Sequence, residues 1–353
     1  MVPGFEWLIN QEQPIRILTT LLRNGTLAHA LLFTGTEGVG KQATAVALAM
    51  ACNCRRTLPD SKADHRLGQD PVNSSGKFHL TTMGACGVCK SCRKIAAGNH
   101  PDIIRIKPIG PFIKIDQIRS LLQTLAMKPY EAITRVAIVS EAQAMNAAAS
   151  NALLKILEEP PSSSMLVLTA NQKSDLLPTI VSRCQIVRFN SIPPEKIASW
   201  LKDKRGQDEQ SADIIAAMAN GSFARAQMMV EDNWLQRRKW VIDEMDHLSL
   251  QPISHLFSLA EKLSREKEAL AQSLEIIKMW FRDLIINRYD TNKIINRDVA
   301  DKIENASRIN NLSDLLSKFD AVQKMQNRLA TNTNLRLAME DLFISLADTQ
   351  RRK

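Results

Sequence analysis

Two absences narrow the classes of protein to which this sequence can belong: it has no long apolar run and few aromatic residues. No stretch approaches the roughly 18 apolar residues that a membrane span requires. The N-terminal stretch MVPGFEWLIN carries an acidic residue and no basic segment, which is unlike a signal peptide. We therefore expect a cytoplasmic protein with no membrane partner. Aromatic residues form only 5% of the chain, too few for a platform on which single-stranded nucleic acid stacks.

The balance of charge permits an anionic partner but does not demand one. The formal net charge is +9, which is compatible with binding to DNA. The lysines and arginines are scattered along the chain, however, and a solvated surface explains them equally well. With 353 residues, the chain is long enough for two or three domains.

Short apolar runs alternate with segments of helical period in the first half of the chain. The predicted strands are Ala30–Thr34, Ile103–Lys107, Val136–Ser140, Met165–Ala170 and Ile186–Phe189. This alternation predicts a parallel sheet with helices on both faces, which is an α/β architecture. From residue 195 onward the periodicity is helical only, so the second half is predicted to be all-α. The prolines of Ser191–Pro194 predict a linker between the two halves.

A glycine-rich stretch between the first strand and the next helix fits the phosphate loop G-x-x-x-x-G-K. Gly35 and Gly40 are its two glycines, Gly38 adds a third, and Lys41 follows. The backbone amides of such a loop bind a polyphosphate, and the lysine adds a point charge. The next residue is normally Ser or Thr, whose hydroxyl binds the magnesium of the nucleotide. Here that residue is Gln42.

A second position on the magnesium side of the site is also altered. The strand that should end in Asp-Glu ends in Ser140-Glu141. Magnesium requires hard oxygen ligands in near-octahedral geometry. The amide oxygen of Gln42 or the hydroxyl of Thr44 could replace one ligand, but two losses predict weak or absent hydrolysis. We expect weak or no ATP binding and no role for magnesium, with a variant that still turns over as the alternative.

Clustered cysteines predict a metal site. Cys86, Cys89 and Cys92 form a double C-x-x-C, and either Cys54 or Cys52 can supply a fourth thiolate. Four thiolates at tetrahedral geometry form a closed structural zinc site. Free thiols and an iron–sulfur cluster are the alternatives.

The segment between these cysteines differs in composition from its surroundings. Residues 55–85 are polar, contain prolines and glycines and have no period, which predicts a surface insertion.

A single arginine lies just before the last predicted strand. Arg183 follows an apolar helical turn that would bring it to the edge of the sheet. There it can reach the nucleotide of a neighbouring subunit and stabilise transition-state charge, as an arginine finger does. The alternative is that Arg183 braces the last strand through a local carboxylate.

Together these residues resemble the bacterial DNA polymerase III clamp-loader subunits of the AAA+ class. The resemblance covers about residues 8 to 190, and the helical remainder has weaker motifs. The matching stretches are His29–Gly35, the cysteine set, His100–Asp102, Asn151–Pro161 and Ser182–Cys184.

The resemblance implies a division of the chain and further site residues. It implies an AAA+ domain over residues 1–191 with a zinc module at 54–92, a helical lid at 192–235 and a helical collar for oligomerisation at 236–353. It selects Cys54 over Cys52 as the fourth zinc ligand. It places Asn171 at the sensor-1 position. Arg225 lies in the sensor-2 region, one place later than the arginine of the motor subunits.

The family has a motor branch, gamma/tau, and a stator branch, delta-prime, which often has a degraded nucleotide site. Gln42, Ser140 and the length of the chain favour the stator branch. That branch implies a hetero-oligomer with gamma/tau and delta, acting on the sliding clamp and primed DNA within a DNA-directed DNA polymerase holoenzyme, a nucleotidyltransferase. The alternatives are an ATP-hydrolysing motor subunit and, in another class, a zinc-containing nucleic-acid-binding module.

Overall fold

The computed structural model describes residues 8–55, 85–329 and 334–347. The chain divides into two compact units. The first comprises Met1–Ile197 and Ala219–Arg225, and the second comprises Ala198–Met218 and Ala226–Lys353. The boundaries expected from the resemblance, near residues 191 and 235, stay a prediction.

Five parallel strands form the sheet of the first unit, in the order β2-β3-β4-β1-β5. The sheet confirms the predicted α/β architecture, and each strand lies within one residue of its predicted bounds. The strands are β1 (Ala30–Thr34), β2 (Ile103–Ile106), β3 (Arg135–Val139), β4 (Ser164–Ala170) and β5 (Gln185–Arg188).

Helices cover both faces of this sheet, and alternate residues of each inner strand point to opposite faces. Leu31 and Phe33 of β1 belong to one apolar cluster, whereas Ala30 and Leu32 belong to the other. Both faces are therefore buried, which is why the strands are almost continuously apolar. The helices are α1 (Glu12–Arg23), α2 (Lys41–Cys52), α3 (Lys90–Ala96), α4 (Ile115–Ala126), α5 (Ala147–Glu158) and α6 (Pro178–Val181).

Beyond residue 193, the regular structure of the described residues is helical, as predicted. Trp234 and Trp280 are fully buried and are the largest side chains of this helical core. Within the described parts of the chain, no helix has the length and apolar character needed to cross a membrane. The helices are α7 (Pro194–Arg205), α8 (Glu209–Met218), α9 (Phe223–Glu231), α10 (Trp234–Asp246), α11 (Ile253–Ser264), α12 (Lys267–Ile286), α13 (Ala300–Ile309), α14 (Leu312–Arg328) and α15 (Leu335–Ala347).

Candidate functional site

The carboxyl ends of β1, β3 and β4 bring the predicted nucleotide residues to one edge of the sheet, where parallel sheets bind ligands. Gly35 follows β1 and its amide donates to the carbonyl of Asn171, which follows β4, at 3.1 Å. Ser140 and Glu141 follow β3. The amide of Glu141 donates to Oγ1 of Thr169 at 3.1 Å. The structure thus joins the predicted sensor position directly to the first glycine of the phosphate loop.

Two glycines of the phosphate loop lie where no side chain fits. Gly35 has φ +146°, and a Cβ there would lie 2.5 Å from the carbonyl oxygen of Phe189. Gly38 has φ +76°, and a Cβ there would lie 2.1 Å from Oγ of Ser222. Both positions therefore require glycine for close backbone approach.

Lys41 turns back onto the loop that precedes it. Its side chain is only 8% exposed, and Nζ donates to the carbonyl oxygens of Gly35 and, at 2.8 Å, of Thr36. Burial lowers the pKa of Lys41 to about 8, although Glu37 and Glu141 act in the opposite direction. The loop carbonyls therefore hold the ammonium group that would otherwise bind a phosphate.

The positions on the magnesium side offer few oxygen ligands. Gln42 and Glu141 are exposed, whereas Ser140 is buried. Glu141 has a left-handed backbone with φ +54°. Thr44 is fully buried and its hydroxyl donates to the carbonyl of Gly40 at 3.0 Å. This bond is the common back-bonding of a helical threonine, and the replacement of a metal ligand by Thr44 stays a prediction.

A short segment at the start of α9 lies against the phosphate loop, in the same compact unit. The amide of Ala224 donates to the carbonyl of Gly38 at 3.3 Å, and Oγ of Ser222 accepts from the amide of Arg225 at 3.2 Å. The resemblance placed Arg225 in the sensor-2 region, but the contact of this segment with the loop was not predicted. The small residues Gly221 and Ser222 were the available signal, since only small side chains allow so close an approach.

Arg183 and the phosphate loop lie at opposite ends of the parallel strands: Arg183 is at the amino ends, and the phosphate loop is at the carboxyl ends. β5 runs parallel to β1, with Gln185 beside Leu31 and Arg188 beside Thr34. Arg183 precedes β5, whereas Gly35 follows β1. Four paired residues, roughly 13 Å of strand, therefore separate the two groups. The structure does not bring Arg183 to the nucleotide residues of its own chain.

Two acceptors hold the guanidinium of Arg183. Nη2 lies 2.9 Å from Oε1 of Glu158, the last residue of α5. Nη1 donates to the carbonyl of Thr179 in α6 at 3.1 Å. The side chains of Arg183 and Glu158 are 37% and 53% exposed. Sequence reasoning allowed for a local carboxylate but did not name Glu158, although it lies within the Asn151–Pro161 stretch.

The four predicted cysteines meet in one cluster. The sulfurs of Cys54, Cys86, Cys89 and Cys92 all lie within 4.8 Å of one another. The amides of Cys86, Cys89 and Cys92 donate to the sulfurs of Cys54, Cys86 and Cys89 at 3.2, 3.3 and 3.4 Å. Cys54 follows α2, Cys86 and Cys89 precede α3, and Cys92 lies in the first turn of α3.

The cluster fits a metal ion that takes four sulfur ligands. Zn–S bonds of about 2.3 Å in a tetrahedron place the sulfurs about 3.8 Å apart, which is within the 4.8 Å limit on their separations here. Cys52 is not a member of the cluster among the described residues, and burial raises the pKa of its thiol to about 12. Most of the predicted insertion, residues 56–84, lies outside the described residues.

A buried ion pair fixes the loop between α4 and β3. Asp102 is fully buried and accepts from the Arg135 guanidinium at 2.6 and 3.0 Å. It also accepts from the backbone amides of Tyr130, Glu131 and Ala132 at 2.8 to 2.9 Å. Burial opposes ionisation, but these amides and the guanidinium hold the pKa of Asp102 below its ordinary value. The aspartate of the His100–Asp102 stretch is therefore a structural residue.

Two family models match the chain. One, described as DNA polymerase III, delta subunit, matches residues 10–68 and 74–193. The other, described as DNA polymerase III, delta subunit, C terminal, matches residues 232–348.

Curated relatives agree with these matches. DNA polymerase III subunit delta' of Bacillus subtilis is 28% identical over 346 residues, which is 96% of this chain and 98% of the relative. The delta' subunit of Haemophilus influenzae is 29% identical over 331 residues, covering 89% and 92%. DNA polymerase III subunit tau of Escherichia coli is 29% identical over 227 residues, but covers 63% of this chain and 32% of the relative. The two delta' proteins match along nearly their whole length, and the chain belongs to the DNA polymerase III delta subunit family.

Proposed function

We propose that this chain is a delta-prime-type stator of a DNA polymerase III clamp loader. It assembles in the cytoplasm with gamma/tau and delta subunits, and the assembly loads the sliding clamp onto primed DNA. The chain itself hydrolyses little ATP and contributes Arg183 to the nucleotide site of a neighbouring subunit. The motor alternative has less support, because both family models are of the delta type and the two delta' relatives match along nearly their whole length.

The observation that carries this proposal is the position of Arg183. Arg183 lies at the amino ends of the strands, whereas the chain's own phosphate loop lies at their carboxyl ends. Any nucleotide phosphate that Arg183 contacts therefore belongs to another subunit. The guanidinium is partly exposed and always charged. A fixed cation beside a γ-phosphate stabilises the charge that develops in the transition state.

The residues around the phosphate loop also support the proposal that this chain hydrolyses little ATP itself. Lys41 is held by its own loop, Gln42 and Ser140 replace the usual metal-side residues, and the Thr44 hydroxyl donates to the carbonyl of Gly40. We propose that the phosphate loop now serves mainly as a packing surface for the start of α9, and that it binds ATP weakly or not at all.

We further propose that the ion held by Cys54, Cys86, Cys89 and Cys92 is a structural zinc. All four ligands are sulfur, which closes the coordination shell and leaves no position for a reacting water. Zinc there would join the end of α2 to the start of α3 and has no part in ATP hydrolysis.

Arg183→Ala in a reconstituted clamp loader tests the main proposal. Assembly should persist, and ATP hydrolysis stimulated by DNA should fall partially, because only one site of several loses its finger. Loss of a finger lowers the rate at a served site by roughly 10³ to 10⁵ in other phosphoryl-transfer systems. The loss of clamp loading should be at least as large as the loss of ATP hydrolysis if the sites must hydrolyse ATP one after another.

Two further variants make the result specific to the guanidinium. Arg183→Lys keeps the charge but loses the planar fork, and it should recover little activity. Arg16→Ala removes an exposed arginine from α1 and should behave as the parent protein does. Parent-level activity in Arg183→Ala, or failure of that variant to assemble, would refute the finger role.

A further inference from the structure

We infer that Glu158 is a positioning residue for Arg183, which holds the guanidinium in the orientation that meets the neighbouring nucleotide. The inference rests on the proposed function, because it assigns a role to Glu158 only if Arg183 acts on a neighbour's phosphate. Glu158 on α5 then belongs to a second site, together with Arg183, which is separate from this chain's own nucleotide-binding residues.

The contacts restrict the guanidinium from two independent elements. Glu158 accepts from Nη2 at 2.9 Å, and the carbonyl of Thr179 accepts from Nη1 at 3.1 Å. A guanidinium carries five N–H donors in a rigid plane. Two acceptors on different helices define that plane and leave the remaining donors for a ligand.

The backbone that carries the Glu158 carboxylate is held in place by the core. α5 ends at Glu158, and Pro160 and Pro161 follow, which cannot continue a helix. Ile156 and Leu157 of the same turn are buried in the sheet's apolar cluster. The position of the Glu158 backbone is therefore set by the core, even though its side chain is exposed.

Helix stability alone does not favour an acidic residue at this position. The carbonyl end of a helix carries partial negative charge, so a carboxylate in the last turn is electrostatically unfavourable. Lysine or arginine would suit the helix better there. The arginine of the neighbouring segment compensates for the mismatch, which ties the choice of glutamate to Arg183 rather than to α5.

The strength of the Arg183–Glu158 ion pair indicates whether Glu158 orients Arg183 or keeps it from binding a phosphate. An exposed ion pair changes an equilibrium by less than about fivefold, so Glu158 cannot withhold Arg183 from a phosphate that carries several negative charges. The same pair is sufficient to bias a flexible side chain among its rotamers. Glu158 therefore directs Arg183 without blocking it.

Full clamp loader reconstituted with Glu158→Ala, Glu158→Gln or Glu159→Ala tests the inference. Glu159 is the adjacent exposed carboxylate, and it has no ion pair in the described part of the chain. At the neighbouring nucleotide site that Arg183 contacts, we expect Glu158→Ala to lower kcat by about twofold to fivefold, the upper range for an exposed ion pair, with KM for ATP unchanged. Glu158→Gln keeps an acceptor oxygen and should recover most of the loss, and Glu159→Ala should show no loss.

A double-variant cycle distinguishes the failure of this inference from that of the proposed function. If Arg183→Ala lowers ATP hydrolysis and Glu158→Ala does not, the finger stands and the positioning role is refuted. If Arg183→Ala has no effect, both fail. In the Arg183→Ala background, Glu158→Ala should cause no further loss. A further loss, or a gain in activity from Glu158→Ala alone, would also overturn the inference. Size-exclusion chromatography checks that each variant assembles.

Discussion

At the scale of single residues, Lys41 makes the stability of the protein depend on pH in a defined window. Its folded pKa is about 8, below the ordinary 10.5. Below pH 8 both states carry the proton, and the cost of burying the charge is fully present. Between the two values the folded state releases its proton while the unfolded state keeps it. Stability therefore rises with pH across this window, because the unfolded state binds more protons.

A comparison with Lys41→Met isolates this effect, since methionine fills a similar volume and does not titrate. Between pH 7 and 9.5 the free energy of unfolding of the parent should rise relative to Lys41→Met by about 2 kcal/mol. Urea unfolding followed by circular dichroism at both values measures the change. The cysteines titrate equally in both proteins and cancel. A constant difference would show that Lys41 is not buried as a charge.

Gly38 provides a second test at this scale, with Gly25 as its matched control. Both have positive φ, but a Cβ at Gly25 meets nothing within 4 Å, whereas one at Gly38 meets Ser222 and Ala224. Gly25→Ala should cost only the left-handed strain, about 1 kcal/mol. Gly38→Ala should cost about 1 to 3 kcal/mol more, because the start of α9 must move. Equal costs in urea unfolding would mean that α9 does not pack on the loop in solution.

The residue patterns predicted which groups belong to the candidate site better than they predicted what those groups contact. The spacing of Gly35, Lys41 and the cysteines is local and can be read from the chain. The bond from Gly35 to Asn171 and the pair between Arg183 and Glu158 join residues that are distant in sequence and are brought together only by the fold. The bond from the Thr44 hydroxyl to the carbonyl of Gly40, one turn earlier, was likewise not predicted from the sequence.

At the scale of elements, the cysteine cluster joins the end of α2 to α3. Cys89→Ser should reduce bound zinc from about one ion per chain to nearly none, because the ligand set would be incomplete. α3 should then exchange its amide hydrogens faster, since bound structural zinc contributes folding free energy. Metal analysis and hydrogen exchange measure the two effects.

Cys52→Ser is the control for that experiment. Cys52 lies two residues before Cys54 but outside the cluster, so its loss should leave the zinc content unchanged. Zinc retained in Cys89→Ser, or lost in Cys52→Ser, would contradict the assignment of the ligands.

Apolar periodicity predicted the strands to within one residue because both faces of the sheet are buried and the runs are continuous. Apolar periodicity does not predict where a side-chain amide pairs with a distant backbone as a neighbouring strand would. The buried amide of Gln11 donates to the carbonyl of Asn190 at 2.7 Å and accepts from its amide at 3.1 Å. A glutamine before a helix carries no signal for such a contact with a residue so distant in sequence.

At the scale of the whole molecule, the purified chain should behave as a poor nucleotide enzyme. Turnover of ATP should lie well below about 1 per second, the lower end of the ordinary enzyme range. Any affinity for ATP should change little when magnesium is removed, because Gln42 and Ser140 do not complete a metal shell. Calorimetric titration with and without magnesium measures the affinity. Turnover near 1 per second that Lys41→Ala abolishes would restore the motor interpretation.

The order of the strands has a consequence for the synthesis of the chain. β1 lies inside the sheet, between β4 and β5, yet it leaves the ribosome before either of them. At about 5 to 20 residues per second, β1 waits roughly 8 to 30 s for its second neighbour. Until β4 is made, the apolar side chains of Leu31, Leu32 and Phe33 have no partner strand and are open to aggregation, and one side of β1 stays unpaired until β5 follows. The strand that leads into the phosphate loop is thus the first of the sheet to be made, and it is enclosed on both sides only when β5 arrives.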